Sequence, residues 1–198
     1  MICSLVLGLE SNITSFKGDI IGVDRGSLLA IEKGFIPKIA IGDFDSCSEE
    51  EIKKISSKTS LIKLNPEKDD TDTLAAIKYV IELGYDEIYL FNGIGARIDH
   101  SFANIILLLN YPQIKSIISK DSKIMLLTKG YYEIKENYKY VSLFSVEDSL
   151  VTLKKFKYNL ENYLLKNNNT LGISNEFTSE IASVEIIKGK ILLMLVNE

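Results

Sequence analysis

The chain has 198 residues, of which 46% are hydrophobic and 25% charged, with a formal net charge of -4. This composition can bury a core, which excludes a disordered chain, and it gives no basic footprint for nucleic acid. No apolar run reaches the ~18 residues of a membrane span, and two cysteines, Cys3 and Cys47, do not suggest a disulfide framework. We expect a cytoplasmic protein with reduced thiols, no membrane or nucleic-acid partner, and one large domain or two small ones.

The first 110 residues alternate between strand-like and helix-like segments. Strands are predicted at the N terminus and at residues 20–23, 38–41, 61–64 and 87–91. Helices are predicted at residues 27–33, 71–83 and 99–110. Such alternation predicts an α/β fold whose sheet is mostly parallel, Rossmann-like and flanked by helices.

The pattern changes after about residue 120, where short strand-like segments joined by turns replace the alternation. They lie at residues 124–127, 140–144, 150–153, 170–173, 182–187 and 190–196. The last two flank Lys188-Gly189, which predicts a tight hairpin. The sequence therefore predicts an α/β domain at 1–121 and an antiparallel, β-sandwich-like domain at 122–198.

Two aspartates follow the predicted strand at 38–41, within Gly42-Asp43-Phe44-Asp45-Ser46. On an extended chain Asp43 and Asp45 would point the same way while Phe44 turns into the core. Carboxylates that converge repel one another unless a cation lies between them, and Mg²⁺ prefers such hard oxygen ligands. The segment predicts a metal site at a strand end, where α/β sheets bind ligands, and the alternative is a solvated pair in a polar turn.

A second acidic run, Lys68-Asp69-Asp70-Thr71-Asp72, opens the predicted helix at 71–83. Acidic residues commonly cap helix amides and oppose the helix dipole, which is the structural alternative here. Three aspartates in four residues exceed what capping requires. Asp69 and Asp72 would lie about one turn apart and reach one cation, and Lys68 could meet a phosphate.

A third segment, 92–100, lies between a predicted strand and a predicted helix and contains Gly93, Gly95 and Arg97. Glycines let a backbone approach phosphate, helix N-termini offer free N–H groups, and a guanidinium suits phosphate oxygens. The segment is neither a Walker loop nor a full dinucleotide fingerprint. Asp99 is a further candidate metal ligand, whereas His100, the sole histidine, is more often structural than catalytic.

Taken in order, these segments resemble the thiamine pyrophosphokinase (thiamin diphosphokinase) family. Its pattern runs D-G-G, G-D-x-D-S, K-D-x-T-D, G-G-R-x-D-H and a late S-N-E. The corresponding segments here are 24–26, 42–46, 68–72, 95–100 and 174–176, with 156–158 matching a β-domain segment that contains a tyrosine. The match covers nearly the whole chain. Arg25 and Ala96 replace glycines of the pattern, which leaves contacts to nucleotide near Arg25 open.

The resemblance implies transfer of a pyrophosphoryl group from ATP to the hydroxyl of thiamine, giving AMP and thiamine diphosphate. It implies a homodimer whose α/β domain binds ATP and Mg²⁺ and whose β domain contributes to thiamine binding and dimerisation. The implied metal ligands are Asp43, Asp45, Asp69, Asp72 and Asp99. The implied ATP-binding residues are Asp24, Lys68, Gly93, Gly95 and Arg97, and the implied thiamine-binding residues are Ser174 and Asn175. The implied catalytic residues are Asp72, Asp99 and Arg97.

Three questions stay open at this point. Either Asp72 or Asp99 could accept the proton of the attacking alcohol. The same carboxylates could serve a Mg²⁺-dependent phosphohydrolase that acts on water. The departures at Arg25 and Ala96 would also suit a thiamine- or nucleotide-binding homologue without activity.

Overall fold

The structure is a computed structural model that describes residues 1–8, 15–65 and 70–197. The chain divides into two compact units, Met1–Lys120 and Asp121–Glu198. None of the helices in these described ranges is long and apolar enough to cross a membrane.

The first unit is a parallel sheet with four helices among its described residues. Its strands are β1 (Ile2–Val6), β2 (Asp19–Val23), β3 (Ile39–Gly42), β4 (Ser60–Lys63), β5 (Glu87–Phe91) and β6 (Ile114–Ser119). Its helices are α1 (Arg25–Glu32), α2 (Glu49–Ser56), α3 (Asp72–Glu82) and α4 (Ile98–Asn110). The strands pair in parallel in the order β4-β3-β2-β1-β5-β6.

The strand order reverses between β1 and β5, which makes this pair the switch point of the sheet. From β1 the chain runs through β2 and β3 to β4 at one edge of the sheet, and it then returns to β5 on the other side of β1. Because crossovers are right-handed, α1 and α2 cover one face of the sheet and α3 and α4 the other. Leu28 of α1 and Ile55 of α2 accordingly share a core cluster with Ala40 and Phe44. Ligands of such sheets bind beyond the carboxyl ends of the strands at the switch point.

Helix α2 was not predicted from the sequence. It opens with three glutamates and buries a single residue, Ile55, so its apolar periodicity is faint. A capping box starts it: the Ser48 hydroxyl accepts from the Glu51 N–H, and the Glu51 carboxylate accepts from the Ser48 N–H. This reciprocal pair satisfies two amides that the helix itself leaves free.

The second unit is built from two antiparallel sheets. Its strands are β7 (Ser122–Leu127), β8 (Gly130–Ile134), β9 (Tyr140–Ser145), β10 (Ser149–Lys154), β11 (Leu160–Leu165), β12 (Ala182–Lys188) and β13 (Ile191–Val196). One sheet has the order β7-β13-β9 and the other β11-β10-β12-β8. Both sheets contribute to one core, for example Leu143 and Leu193 from the first and Val151 and Val184 from the second. The predicted fold class, α/β with a β-sandwich-like second part, is confirmed.

Two local predictions in this unit are wrong. Residues 170–173 form a turn rather than a strand, and the side chains of Leu171 and Ile173 are exposed, so their apolar pattern reflects no buried face. β12 and β13 do not form a hairpin, because they belong to different sheets. Gly189, at φ 92°, carries the chain from one sheet to the other. A glycine turn between two apolar strands looks the same in sequence for both connections.

Candidate functional site

A cleft of about 420 Å³ opens in the first unit beyond the carboxyl ends of its strands. Its walls come from the residues that follow β1, β2 and β5 and from the starts of α3 and α4. The polar side chains that line it include Asp24, Arg25, Asp72, Arg97 and His100. The cleft therefore lies where the switch point of the sheet predicts a ligand site.

Three carboxylates meet at this end of the sheet. Oxygens of Asp24, Asp43 and Asp72 lie within 4.8 Å of one another, and all three residues are half-buried. Asp24 follows β2, Asp43 follows β3, and Asp72 begins α3, whose N-cap Thr71 accepts from the Leu74 N–H at 3.2 Å. Clustered carboxylate oxygens are the donor set that Mg²⁺ prefers.

Asp24 is held in place by its neighbours. Its backbone has φ 47° and ψ -127°, a conformation that costs about 1–3 kcal/mol and persists where surrounding contacts enforce it. Its Oδ1 accepts from the Phe44 N–H at 3.2 Å. Gly42 makes the approach possible, since a Cβ added there would lie 1.8 Å from the same oxygen. The two neighbouring strand ends therefore fix this carboxylate beside Asp43.

The electrostatics of Asp24 reflect a crowded, partly dry position. Burial and then the charge of Asp72 raise the pKa of the Asp24 carboxyl to about 7, with a smaller contribution from Asp43. The hydrogen bond from Phe44 acts in the opposite direction. Burial and the neighbouring negative charge therefore disfavour the ionised form of this carboxyl.

The sequence placed Asp24 with ATP rather than with the metal. The structure brings it together with Asp43 and Asp72 because β2 and β3 are neighbours, with Val23 opposite Ile41. Parallel strands that are consecutive in the chain usually pair, and that signal could have placed Asp24 beside Asp43.

The extended geometry expected for Asp43 and Asp45 is absent. β3 ends at Gly42, and Phe44 turns with φ 59° into the left-handed region while its ring is buried as expected. Asp45 is exposed, and its N–H donates to Asp43 Oδ1 at 3.0 Å. Asp45 consequently lies outside the three-carboxylate group. Two further candidates, Lys68 and Asp69, fall outside the described residues.

Asp99 is also separate from this group. Arg97, just before α4, donates from Nε and Nη2 to the two Asp99 oxygens, at 3.2 and 2.5 Å. The guanidinium holds the pKa of the Asp99 carboxyl at about 2. Both side chains are exposed, and Arg97 lines the cleft. The structure therefore pairs two predicted catalytic residues with each other.

The glycine-containing loop uses its amides internally. Gly95 N–H donates to Ser101 Oγ at 3.0 Å, and Ile94 N–H donates to Ser119 Oγ at 3.1 Å. Gly93 packs tightly, because a Cβ there would lie 2.6 Å from a methyl group of Ile117. For the Gly95 amide to contact a phosphate as predicted, its hydrogen bond to Ser101 would have to break. The Arg97 side chain, in contrast, already lines the cleft.

Asn92, which none of the sequence motifs singles out, links the two strands at the switch point. Its φ of 61° suits asparagine, one of the few side chains enriched in the left-handed region. Its Nδ2 donates to the Leu7 carbonyl oxygen at 3.3 Å, which ties the end of β5 to the end of β1. Within the described residues no group donates to its buried Oδ1.

In the second unit, Asn175 links two segments that the resemblance singled out. Its Oδ1 accepts from the Tyr158 N–H at 3.0 Å, and its Nδ2 donates to the Tyr158 carbonyl oxygen at 2.8 Å. Ser174 has φ 56°, and its N–H donates to Ser142 Oγ at 3.0 Å. Asn175 is buried while the Tyr158 ring is exposed. These bonds present the Tyr158 ring and Ser174 on a fixed loop.

Comparison with known proteins gives a consistent result. The family model "Thiamin pyrophosphokinase, catalytic domain" matches residues 13–119, and "Thiamin pyrophosphokinase, vitamin B1 binding domain" matches residues 131–191. Thiamine pyrophosphokinase of Bacillus subtilis (strain 168) is 36% identical over 185 residues, which are 88% of this chain and 85% of the relative.

Solved structures agree with the sequence matches. The crystal structure of thiamine pyrophosphokinase from Bacillus subtilis superposes with a TM-score of 0.89 at 31% identity, covering 100% of both chains. That of thiamin pyrophosphokinase from Geobacillus thermodenitrificans gives a TM-score of 0.86 at 30% identity, covering 100% of this chain and 98% of the other.

Proposed function

The chain belongs to the thiamin pyrophosphokinase family, and on this premise we propose that it transfers the pyrophosphoryl group of ATP to the hydroxyl of thiamine with the help of Mg²⁺. Family membership makes it an enzyme, a thiamine diphosphokinase, as the sequence resemblance implied. The observation that carries the ATP and Mg²⁺ proposal is the three-carboxylate group beside a cleft with two arginines at the switch point.

Asp24, Asp43 and Asp72 would hold the Mg²⁺. Their carboxylate oxygens lie within 4.8 Å of one another, and such hard oxygen atoms are the ligands that Mg²⁺ would take. The raised pKa of Asp24 supports this assignment, because a bound cation would offset the burial and the charge of Asp72 that raise it. When bound, the metal would neutralise negative charge on the phosphate oxygens during transfer.

The chain's own groups would orient the substrates and move the proton. Arg97 and His100 line the same cleft and can meet the polyphosphate. Of the two carboxylates predicted to accept the alcohol proton, Asp99 has both oxygens bound by Arg97, whereas Asp72 lines the cleft. We therefore assign proton acceptance to Asp72, through the carboxylate oxygen that would not hold the metal.

The second unit would supply the thiamine contacts. The family model for a vitamin B1 binding domain covers 131–191, which includes the loop of Ser174 and Asn175. Ser174 would hydrogen-bond the aminopyrimidine, and Asn175 would keep the loop and the exposed Tyr158 ring in place. The thiazolium ring of thiamine carries a positive charge, which an exposed aromatic face attracts.

Product identification tests the reaction. Incubation of the purified protein with ATP, Mg²⁺ and thiamine should yield AMP and thiamine diphosphate in equal amounts, because the β-phosphorus is attacked and AMP leaves. Chromatography with mass detection measures both, and omission of thiamine or addition of EDTA should stop AMP formation. ADP as the product, phosphate release without thiamine, or ligand binding without turnover would each contradict the proposal.

We also propose that the protein is a homodimer, because α4 presents an apolar stripe to solvent. Ile98, Phe102 and Ile106 recur every four residues on one helix face and are 81%, 63% and 42% exposed. Contiguous apolar surface of this kind marks association sites in soluble proteins.

A charge placed in the stripe should dissociate this dimer. Phe102→Asp is expected to shift the mass in solution from twice 22.2 kDa toward 22.2 kDa, since burying an unpaired carboxylate in an apolar contact is costly. Light scattering after gel filtration measures the mass. Ile36→Asp is the matched control, because Ile36 is 64% exposed but lies outside α4. A monomeric wild type, or a dimeric Phe102→Asp protein, contradicts the proposal.

The cytoplasm is the location we propose, because the reaction consumes ATP and AMP must be recycled there. The thiols of Cys3 and Cys47 are free, and burial raises the pKa of the Cys3 thiol to about 12. Fractionation of cells that express a tagged chain would test this location.

A further inference from the structure

We infer that Arg25 binds the polyphosphate of the nucleotide, an inference that rests on the proposed function. Arg25 is the first residue of α1, follows Asp24 directly and lines the cleft. Its side chain is 52% exposed and is therefore accessible to a ligand in the cleft. A guanidinium offers a planar fork of donors that matches phosphate oxygens.

The charges around the cleft explain why a second arginine is needed. Asp24 and Asp72 line it and repel the phosphates that a nucleotide brings. Arg97 already directs two of its nitrogens at Asp99. Arg25 meets a single acidic side chain of the described residues, Glu51, at 3.7 Å, which is too long for a hydrogen bond. Of the two arginines, Arg25 therefore has the weaker interaction with an acidic side chain.

Glu51 interacts only weakly with Arg25, and its carboxylate cannot move with the guanidinium toward a ligand. One Glu51 oxygen accepts from the Ser48 N–H at 2.8 Å as part of the capping box of α2, which fixes the carboxylate in place. An exposed ion pair at such a distance contributes little, whereas charge-assisted bonds to phosphate are short and strong. A phosphate in the cleft would accordingly draw the guanidinium away from Glu51.

Binding of inorganic triphosphate with Mg²⁺ tests the inference, because this probe has neither base nor ribose. Calorimetry should show that Arg25→Gln raises its Kd roughly tenfold and that Arg25→Lys, which keeps the charge, raises it less. Adenosine should bind all three proteins equally. Lys33→Gln, at the other end of α1 and exposed, is the matched control and should bind triphosphate like the wild type. An unchanged Kd in Arg25→Gln, or an equal loss of adenosine binding, overturns the inference.

Triphosphate binding by a Glu51→Gln variant distinguishes a ligand-binding role of Arg25 from a merely structural one. Glutamine can still accept from the Ser48 N–H, so the capping box survives while the competing charge is removed. Triphosphate should bind about twofold to threefold more tightly when Arg25 is present, and no tighter in the Arg25→Gln background. Equal effects in both backgrounds overturn the inference.

Different results would contradict the proposed function and the role of Arg25. If the wild type makes no AMP from ATP and thiamine, the proposed function is wrong, whatever triphosphate binding shows. If AMP is made but Arg25→Gln binds triphosphate and uses ATP like the wild type, the inference about Arg25 alone is wrong. Thermal unfolding of each variant confirms that the fold is intact.

Discussion

Asp43→Asn and Asp72→Asn are each expected to lower kcat by ~10²–10³-fold while the protein stays folded. Asparagine keeps the size of the side chain but removes one of three charges that face a common point. Loss of one preorganised electrostatic contact to a transition state commonly costs a factor of this size. Steady-state formation of AMP and thiamine diphosphate at saturating Mg²⁺ measures it.

Two neighbouring aspartates make the experiment discriminating. Asp70→Asn lies in the same acidic run, but Asp70 pairs with Lys78 at 2.5 Å outside the group, so near wild-type rates are expected. Asp45→Asn distinguishes the metal ligands expected from the sequence, which include Asp45, from the three-carboxylate group of the structure, which does not. The structure predicts a smaller loss of kcat for this variant than for Asp43→Asn. Wild-type turnover in Asp43→Asn or Asp72→Asn would remove the metal assignment.

Asp24→Asn is expected to abolish most activity and yet to stabilise the metal-free protein at pH 8. The pKa of the Asp24 carboxyl is raised from 3.8 to about 7 in the folded state. Between about pH 4 and pH 7 the folded protein therefore holds a proton that the unfolded chain has lost, and stability falls as the pH rises. Above pH 7 the folded protein bears the full free-energy cost of the ionised Asp24 carboxylate. Asparagine is uncharged and does not have this cost.

Thermal unfolding in EDTA and in Mg²⁺, at pH 5 and pH 8, measures this effect. Without metal at pH 8, Asp24→Asn should unfold at a higher temperature than the wild type, by about 2–4 °C for each kcal/mol of relieved repulsion. At pH 5 the difference should shrink, and Mg²⁺ should raise the Tm of the wild type more than that of the variant. An Asp24→Asn protein that is less stable than the wild type at pH 8 in EDTA contradicts this prediction.

The sequence predicted the parts of the fold that local pattern encodes. Apolar runs such as 87–91 and the periodic helix at 71–83 stand where β5 and α3 lie. Helix α2 was not predicted, because its capping box and glutamates give little apolar periodicity. The join at Gly189 was misread because the sheet in which a strand ends up depends on partners distant in the chain.

The candidate site divides along the same line. Asp43 and Asp72 could be recognised from their positions after a strand and at a helix start. The expectation that Asp43 and Asp45 point the same way fails because Phe44 takes a positive φ and the chain is not extended there. Asp24 joins the group through the neighbouring strand and through the room that Gly42 leaves, and neither is visible in a linear pattern.

The position of β1 has a consequence for how the protein is made. β1 is synthesised before β2 and β5, yet it pairs on one side with β2 and on the other with β5, and Leu7 contacts Asn92 across 85 positions of sequence. At about 5–20 residues per second, the nascent chain carries β1 with one unpaired edge for about 4–17 s. Open strand edges invite pairing with other chains. The cleft at the switch point is thus completed late in translation, and a polypeptide stalled before α4 would be expected to bind chaperones.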